Sequence, residues 1–517
     1  MLGAREAEES IRQAQQGRGK PIISLKTADH QMVAVGKTIH WSKTWKSFPD
    51  FLSDYIKKKL DPAWGNAEIA KPLPERHPLL QWYDSLCRYQ QKTITTAGEV
   101  VSADVTGVVA CYVGTAYALY LLDHNVELQA RLINRLKDPG NFQGAYYELI
   151  VASALIRAGF TLTLEDETDA SSKHCEFAAV SPRSGKRYWV EAKMRSVTGL
   201  LGRTSADGGP EGRPLSRLIP HLNNALSKPA NDERLIFIDV NTPFVMDADA
   251  EGKPDWLGPA ITRLERYEQE SLTSVKAYVF VTNMAFHRHL DTAPGMAAFV
   301  FGLGMPDFYR PGAIRVTDAY RQKQKHIDAY VIAESIENYC VFPSTFDGKL
   351  PSESLGRPTS RVKIGETYHF PDAAPGGITG TVTSATVEED SKRVLAGVAS
   401  SDGQSHLIWI PMSDADFGEY SQFRDAYFGQ VVPVQKNPKT PFELFEWLME
   451  THKTTPRGNI LGWLSAAPNA EELAKLSDDD LRMTYCEGLV ASMAAMASKA
   501  PASASLTPPE EPEAPAS

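Results

Sequence analysis

The stretch CEFAAVSPRSGKRYWVEAKMRS, Cys175 to Ser196, puts two glutamates and a lysine on what reads as a β-hairpin. Tyr188, Val190, Ala192 and Met194 alternate with Glu191, Lys193 and Arg195. A strand sends alternate side chains to opposite faces, so the first set reads as core and the second shares a face with Trp189. With Ser184 and Gly185 at the tip, Glu176 falls opposite Lys193 and diagonal to Glu191. A register slip of one residue would scatter the group. Two carboxylates and an ammonium on so small a patch are either a surface ion pair, contributing about 0–1 kcal/mol, or the start of a cation site.

The preceding segment, GAYYELIVASALIRAG, reads as a helix closed by Gly159, and its only charged residues are Glu148 and Arg157. At about 100° per residue these two lie on nearly opposite faces. Glu148 therefore sits among Ala145, Leu149, Val151, Ala152 and Leu155 without a partner on its own helix. A carboxylate there is costly unless a cation or a hydrogen-bond network meets it. A metal held by Glu176 and Glu191 would be such a cation.

The elements that must position these residues follow from pattern. The chain of 517 residues exceeds what one hydrophobic core organises, so about three folding units are expected. Residues 1–140 read as a mainly helical N-terminal region, beginning with a polar charged arm over the first 20 residues and a short β-like piece, PIISLKTADHQMVAVGKTIHWS. Helices are expected over Phe48–Leu60, Leu79–Gln91 and about Gly98–Lys137. From 141 to 307 the order helix, strand, strand, strand, helix, strand, helix, strand is an α/β signature. Residues 359–434 turn to short strands and suggest a small β-barrel or sandwich. Residues 435–497 return to helices, and 498–517, rich in Ala, Pro, Ser and Glu, should be disordered. The fold class expected is thus multidomain α/β.

The order of a glutamate on a helix, an acid on a strand, then Glu-x-Lys in VEAK on the paired strand resembles the PD-(D/E)XK nuclease superfamily, the restriction endonuclease-like fold. The resemblance spans about Asn141 to Val240 and implies an αβββαβ core. It implies a metal-dependent nuclease hydrolysing phosphodiester bonds, most naturally in DNA with RNA left open, in restriction, repair or defence against foreign DNA. Residue by residue, it makes Glu148, Glu176, Glu191 and Lys193 catalytic, with Glu176, Glu191 and the carbonyl of Ala192 as ligands of Mg2+ or Mn2+. In that reading Lys193 orients or helps to deprotonate water and stabilises charge on the phosphate. The family's first acid is usually an aspartate after proline, whereas here Glu176 follows Cys175. The Pro306-Asp307 pair lies after the Glu-x-Lys strand and cannot replace it. The substituted acid and the net charge of −10 motivate an alternative: an inactive nucleic-acid-binding or scaffold protein that keeps the fold.

Around the centre, Lys186, Arg187, Arg195 and Arg203 are candidate nucleic-acid contacts. The Gly-rich stretch Val197–Pro214 is expected to be mobile and to close over a phosphate backbone. Adjacent His174 and Cys175 point opposite ways on a strand, which argues against a metal pair. No phosphate-loop or GxSxG motif is present. Five scattered cysteines, odd in number and lacking CxxC spacing, signal neither disulfides nor zinc and fit a reducing cytoplasm. The N-terminus lacks the apolar stretch of an export signal. The uncharged run Val105–Leu122 reads as a buried helix rather than a membrane span. The terminal regions leave room for a homodimer or a protein partner.

Overall fold

A computed structural model of the chain describes residues 2–96, 98–126, 130–164, 176–203, 212–230, 232–245, 253–271, 275–308, 314–431 and 438–499. It divides into two compact units, Met1–Arg310 with His326–Val432, and Pro311–Lys325 with Pro433–Ser517.

The first unit opens with helix α1 (Leu2–Gln16), where a polar arm was expected. Its inward stripe is Ala7, Ile11 and Gln15, one turn apart, all buried. Gln15 Nε2 donates to the carbonyls of Gly348 and Lys349. The β-like piece becomes a three-stranded antiparallel sheet, β1 (Ile23–Lys26), β2 (Gln31–Val35) and β3 (Thr38–Ser42). Helices α2 (Phe48–Lys59), α3 (Pro62–Ile69) and α4 (Pro78–Thr93) follow. The run expected as one helix to Lys137 forms two, α5 (Gly107–Asn125) and α6 (Ala130–Lys137). α5 is buried on nearly every side, the condition that makes an all-round apolar helix stable away from a bilayer. Among the described residues no helix is long and apolar enough to cross a membrane.

Helix α7 (Phe142–Arg157) leads into a six-stranded sheet: β4 (Thr161–Leu164), β5 (Phe177–Val180), β6 (Arg187–Met194), then helix α8 (Leu218–Ser227), β7 (Arg234–Asp239), helix α9 (Leu257–Glu270), β8 (Ala277–Asn283) and β9 (Ala297–Leu303). Strand order is sequential. β4, β5 and β6 run antiparallel, β6, β7 and β8 parallel, and β9 returns antiparallel. The expected alternation is present, with β9 added at one edge. One face of the sheet, carrying Tyr188, Val190, Ala192, Leu235 and Phe237, packs in a core that also takes in α2, α4, α5 and α7. The helical region and the α/β sheet are therefore one hydrophobic body rather than separate cores. The other face, with Ile236, Ile238 and Val279, is covered by α8 and α9.

Helix α10 (Val316–Lys325) belongs to the second unit. Helix α11 (Ile327–Glu337) returns to the first and fixes the β5–β6 hairpin: buried Asp328 accepts from Ser181 Oγ, Ser184 Oγ and Tyr188 OH. After the short turn α12 (Pro351–Ser354), strands β10 (Thr367–Phe370), β11 (Ile378–Glu388), β12 (Arg393–Ser400) and β13 (Ser405–Pro411) form one antiparallel sheet in sequential order. Among the described residues this is a single open sheet, not a closed barrel or a two-sheet sandwich. Helix α13 (Asp414–Phe423) and the Ala7–Ile11 stripe of α1 fill its inner face.

In the second unit Phe445, Leu448 and Met449 of α14 (Pro441–Thr451) pack with Met483, Cys486 and Val490. Short helices α15 (Arg457–Trp463) and α16 (Ala470–Leu473) precede α17 (Asp478–Lys499), to which the last three belong. The tail expected to be disordered lies, from 500 onward, outside the described residues.

Candidate functional site

The β5–β6 hairpin sets the site. Ser181 N donates to Lys186 O and Gly185 N to Ser181 O, so the turn holds four residues, Pro182 to Gly185, with Gly185 at φ 68°. Ser181 Oγ accepts from the backbone N–H of Arg183 and of Ser184 and stiffens the turn. The register that follows pairs Phe177 with Val190 and Val180 with Arg187. It is offset by two residues from the one expected with a two-residue tip. An even offset preserves the face, so Glu176, Glu191 and Lys193 still come together, with Glu176 now level with Glu191.

Lys193 Nζ donates to Glu176 Oε1 at 2.8 Å and lies 2.5 Å from Glu191 Oε1. Parallel pairing sets Glu191 beside Ile236 and Lys193 beside Ile238, on the face covered by α8. That helix supplies a residue the sequence reading missed. α8 stops at Ser227 because Lys228 precedes Pro229, and a residue before proline is driven to extended backbone; Lys228 has φ −75° and ψ 140°. Its ammonium then stands 2.6 Å from Glu191 Oε1 and 3.7 Å from Glu176 Oε1. The only hint in the sequence is a lysine between a helix end and a proline, which does not say where the ammonium goes.

Glu148 arrives from α7, in the opposite layer, and its partner is Arg135 of α6. The guanidinium donates from Nη1 to Oε2 at 2.7 Å and from Nη2 to Oε1 at 2.6 Å. The cation expected for this buried carboxylate is therefore present in the protein itself. Burial nevertheless lifts the Glu148 carboxyl from an ordinary 4.5 to about 7, repulsion from Glu176 adding to it and Arg135 opposing it. Burial likewise raises Glu191, with Glu176 adding and Lys193 and Lys228 opposing. At Glu176 burial works upward too, but Lys193 and Lys228 outweigh it and hold the carboxyl below its usual range. Lys193 is half-buried, which works against its charge, yet its two carboxylates hold it firmly cationic.

Three carboxylates thus face three cations. The Glu191 side chain is 2% exposed. Both ammoniums bear on its Oε1, and among the described residues Oε2 meets no hydrogen-bond donor, which leaves that oxygen for a cation. Carbonyls alternate along a strand, and Val190 O faces β5 by accepting from Glu176 N. Ala192 O points the same way, past the described end of that strand. Among the described residues no three His, Cys, Asp or Glu side chains are gathered to hold a metal. The donors here, Glu176, Glu191 and the Ala192 carbonyl, instead suit a hard ion that takes one or two carboxylates and keeps its water, as Mg2+ does. His221 on α8 is a second residue missed: burial first, then the Lys193 and Arg217 charges, lower its pKa to about 4 and keep the imidazole neutral.

The four basic residues separate. Lys186 and Arg187 lie at the hairpin end, about 16 and about 13 Å along the strand from Glu191 at 3.3 Å per residue. Lys186 is 3.4 Å from Glu233 and Arg187 lies over the Trp189 ring. Arg195 departs from expectation: it is 1% exposed, and Nε and Nη2 donate to the carbonyls of Val240 and Asn241. It fastens the ends of β6 and β7 and presents nothing to a phosphate. Arg203 donates to Gly140 O. Residues 197–203, expected to be mobile, are strapped to α7, since Gln143 Nε2 donates to the carbonyls of Val197 and Leu200 and its Oε1 accepts from Val197 N. Residues 204–211, and His174 with Cys175, lie outside the described residues.

Comparison with protein-family models, with curated proteins and with solved structures finds no match for this chain.

Proposed function

We propose that the chain is a metal-dependent nuclease of the PD-(D/E)XK type, hydrolysing phosphodiester bonds in DNA and serving restriction, repair or defence against foreign DNA. The observation that carries the reading is the meeting of Glu176, Glu191 and Lys193 on adjacent antiparallel strands, behind a helix bearing Glu148 and ahead of a crossover helix to a parallel strand. Glu176, Glu191 and the Ala192 carbonyl would hold Mg2+ or Mn2+, which when bound lowers the pKa of coordinated water and neutralises charge developing on the phosphate.

The remaining roles belong to the chain. A lysine held firmly cationic cannot take a proton, so Lys193 acts by stabilising negative charge on the scissile phosphate and not as a base. Lys228, touching both carboxylates, positions them and adds to the positive field over the site. Arg135 fixes Glu148, whose carboxyl near neutrality can take or give a proton to water. With three carboxylates balanced by three cations, the site favours an anionic substrate once a divalent ion is added.

A second reading, an inactive nucleic-acid-binding or scaffold protein that keeps the fold, draws support from that same pairing, since each carboxylate already has a cation of the protein beside it. Purified protein incubated with linear duplex, circular and single-stranded DNA and with RNA, each with Mg2+, Mn2+ or EDTA, decides between them. Cleavage that needs the metal and disappears in Glu191→Gln supports the nuclease. Cleavage equal in EDTA removes the metal mechanism, and no cleavage under any condition, with no Mn2+ binding by calorimetry, favours the scaffold.

A further inference from the structure

The β1–β3 sheet has two unlike faces. Val33 and Val35 point into the core. On the other side the register sets Leu25 beside Met32 beside Trp41, and Ile23 beside Ala34 beside Ile39. Ile23, Leu25, Ile39 and Trp41 are 56%, 61%, 66% and 58% exposed. The solvated side of an antiparallel sheet is ordinarily polar, so an apolar one of this size marks a binding surface. The His30 ring stands edge-on to Trp41, with centroids 5.1 Å apart.

Beside this face lies a cleft of about 510 Å³ lined by Lys26, Lys43, Lys46 and Arg357, with Asp29 the one acid in its lining. Lys46 and Arg357 donate to the carbonyls of Gly98 and Val100, and among the described residues neither side chain meets a carboxylate. The charge is a property of the segment: from Arg18 to Lys59 the chain carries nine Lys and Arg against three Asp and no Glu, within a protein of net charge −10.

We propose that this face holds a single strand of nucleic acid, with bases laid against Trp41 and the aliphatic rows and phosphates running through the cationic cleft. The reason such a strand would come to this protein rests on the nuclease reading above; the binding itself does not. A duplex hides its base faces and would leave the apolar rows unmatched, whereas an unpaired strand offers flat rings and a chain of phosphates together. The cations line a concavity instead of ringing a flat face, which suits a phosphate chain and not the plane of an anionic bilayer. A second copy docked through the same face would match the apolar rows with its own but would set one cationic cleft against another.

The experiment is fluorescence anisotropy of the full chain with labelled single-stranded oligonucleotides in EDTA, where cleavage plays no part. Trp41→Ala should weaken single-strand binding about 5- to 100-fold, as loss of one stacked base does, and leave duplex binding unchanged. Lys26→Glu with Lys43→Glu should weaken it at least tenfold and reduce the slope of log K against log salt by about 1.4. All three positions are exposed, so unchanged melting temperatures are expected. Unchanged affinity in both variants overturns the proposal. So does binding of phosphatidylserine vesicles, or self-association in sedimentation, that these variants abolish while oligonucleotide affinity stays at the parent's value. Binding lost in the variants of a protein that never cleaves sustains this inference and sinks the nuclease reading. Metal-dependent cleavage with no effect of the variants on binding does the reverse.

Discussion

Replacing Glu148 by glutamine should make the protein respond differently to pH, and the size of the response follows from the site. Glu148 is buried between α7 and α6, its side chain 12% exposed, and burial raises its carboxyl from 4.5 to about 7 against the pull of Arg135. The folded state therefore binds this proton more tightly than the unfolded chain. Its contribution to stability is complete below about pH 4.5 and is lost as pH rises to about 7, above which it stays flat. A displacement of that size at about 1.4 kcal/mol per unit corresponds to about 3 kcal/mol. Glutamine fills nearly the same space and has no proton to lose. The stability of Glu148→Gln relative to the parent should accordingly climb by about 3 kcal/mol between about pH 4.5 and pH 8. Glu176 and Glu191 titrate in both proteins, and taking the difference removes most of their effect. Urea unfolding in EDTA, followed by tryptophan fluorescence at several pH values, measures it. A difference that stays level across the range, or falls with pH, would refute the argument that burial dominates at this carboxylate.

Lys193→Ala should abolish metal-dependent cleavage by about 10²-fold or more and keep Mn2+ binding, while costing the metal-free protein about 2 kcal/mol through the lost bond to Glu176; calorimetry, melts and a nuclease assay on one preparation test it, and parental cleavage would remove this lysine from the mechanism. Lys228→Met leaves Glu191 with one ammonium and should tighten Mn2+ binding while slowing cleavage, a split that calorimetry beside single-turnover rates detects and that unchanged values would contradict. Arg195→Gln should destabilise by about 2 kcal/mol by taking the donor from the buried Val240 carbonyl, while the Asn241 carbonyl keeps its bond from Arg288; reduced DNA affinity with unaltered melting would show that its guanidinium reaches phosphate after all.

Period-two alternation was enough to place Glu191 and Lys193 on one face and Tyr188, Val190 and Ala192 on the other, because side-chain direction on a strand is a local property of the backbone. It also survived a wrong register: the four-residue turn shifted the pairing by two, and an even shift leaves faces unchanged. The helix–strand order of 141–307 was legible for a similar reason, since each element carries its own period. The ends of the chain were harder. α1 shows its buried stripe only through Ala7, Ile11 and Gln15, one large apolar residue among three, which does not stand out until the β10–β13 sheet lies beside Ala7 and Ile11 and the Gly348 and Lys349 carbonyls meet Gln15. What the sequence could not contain is the set of cations. Arg135 lies 13 residues before Glu148, and Lys228 lies 37 residues after Glu191 and reaches it only because α8 crosses the sheet and ends at a proline. The same holds for Arg195, which as a residue beside Glu-x-Lys looked like a phosphate contact, and which the neighbouring strand turned into a buried fastener. Alternation and helical period act between near neighbours and can be read along the chain. The partner of a buried charge is chosen by whichever segment the core brings alongside, and that is settled only when the layers pack.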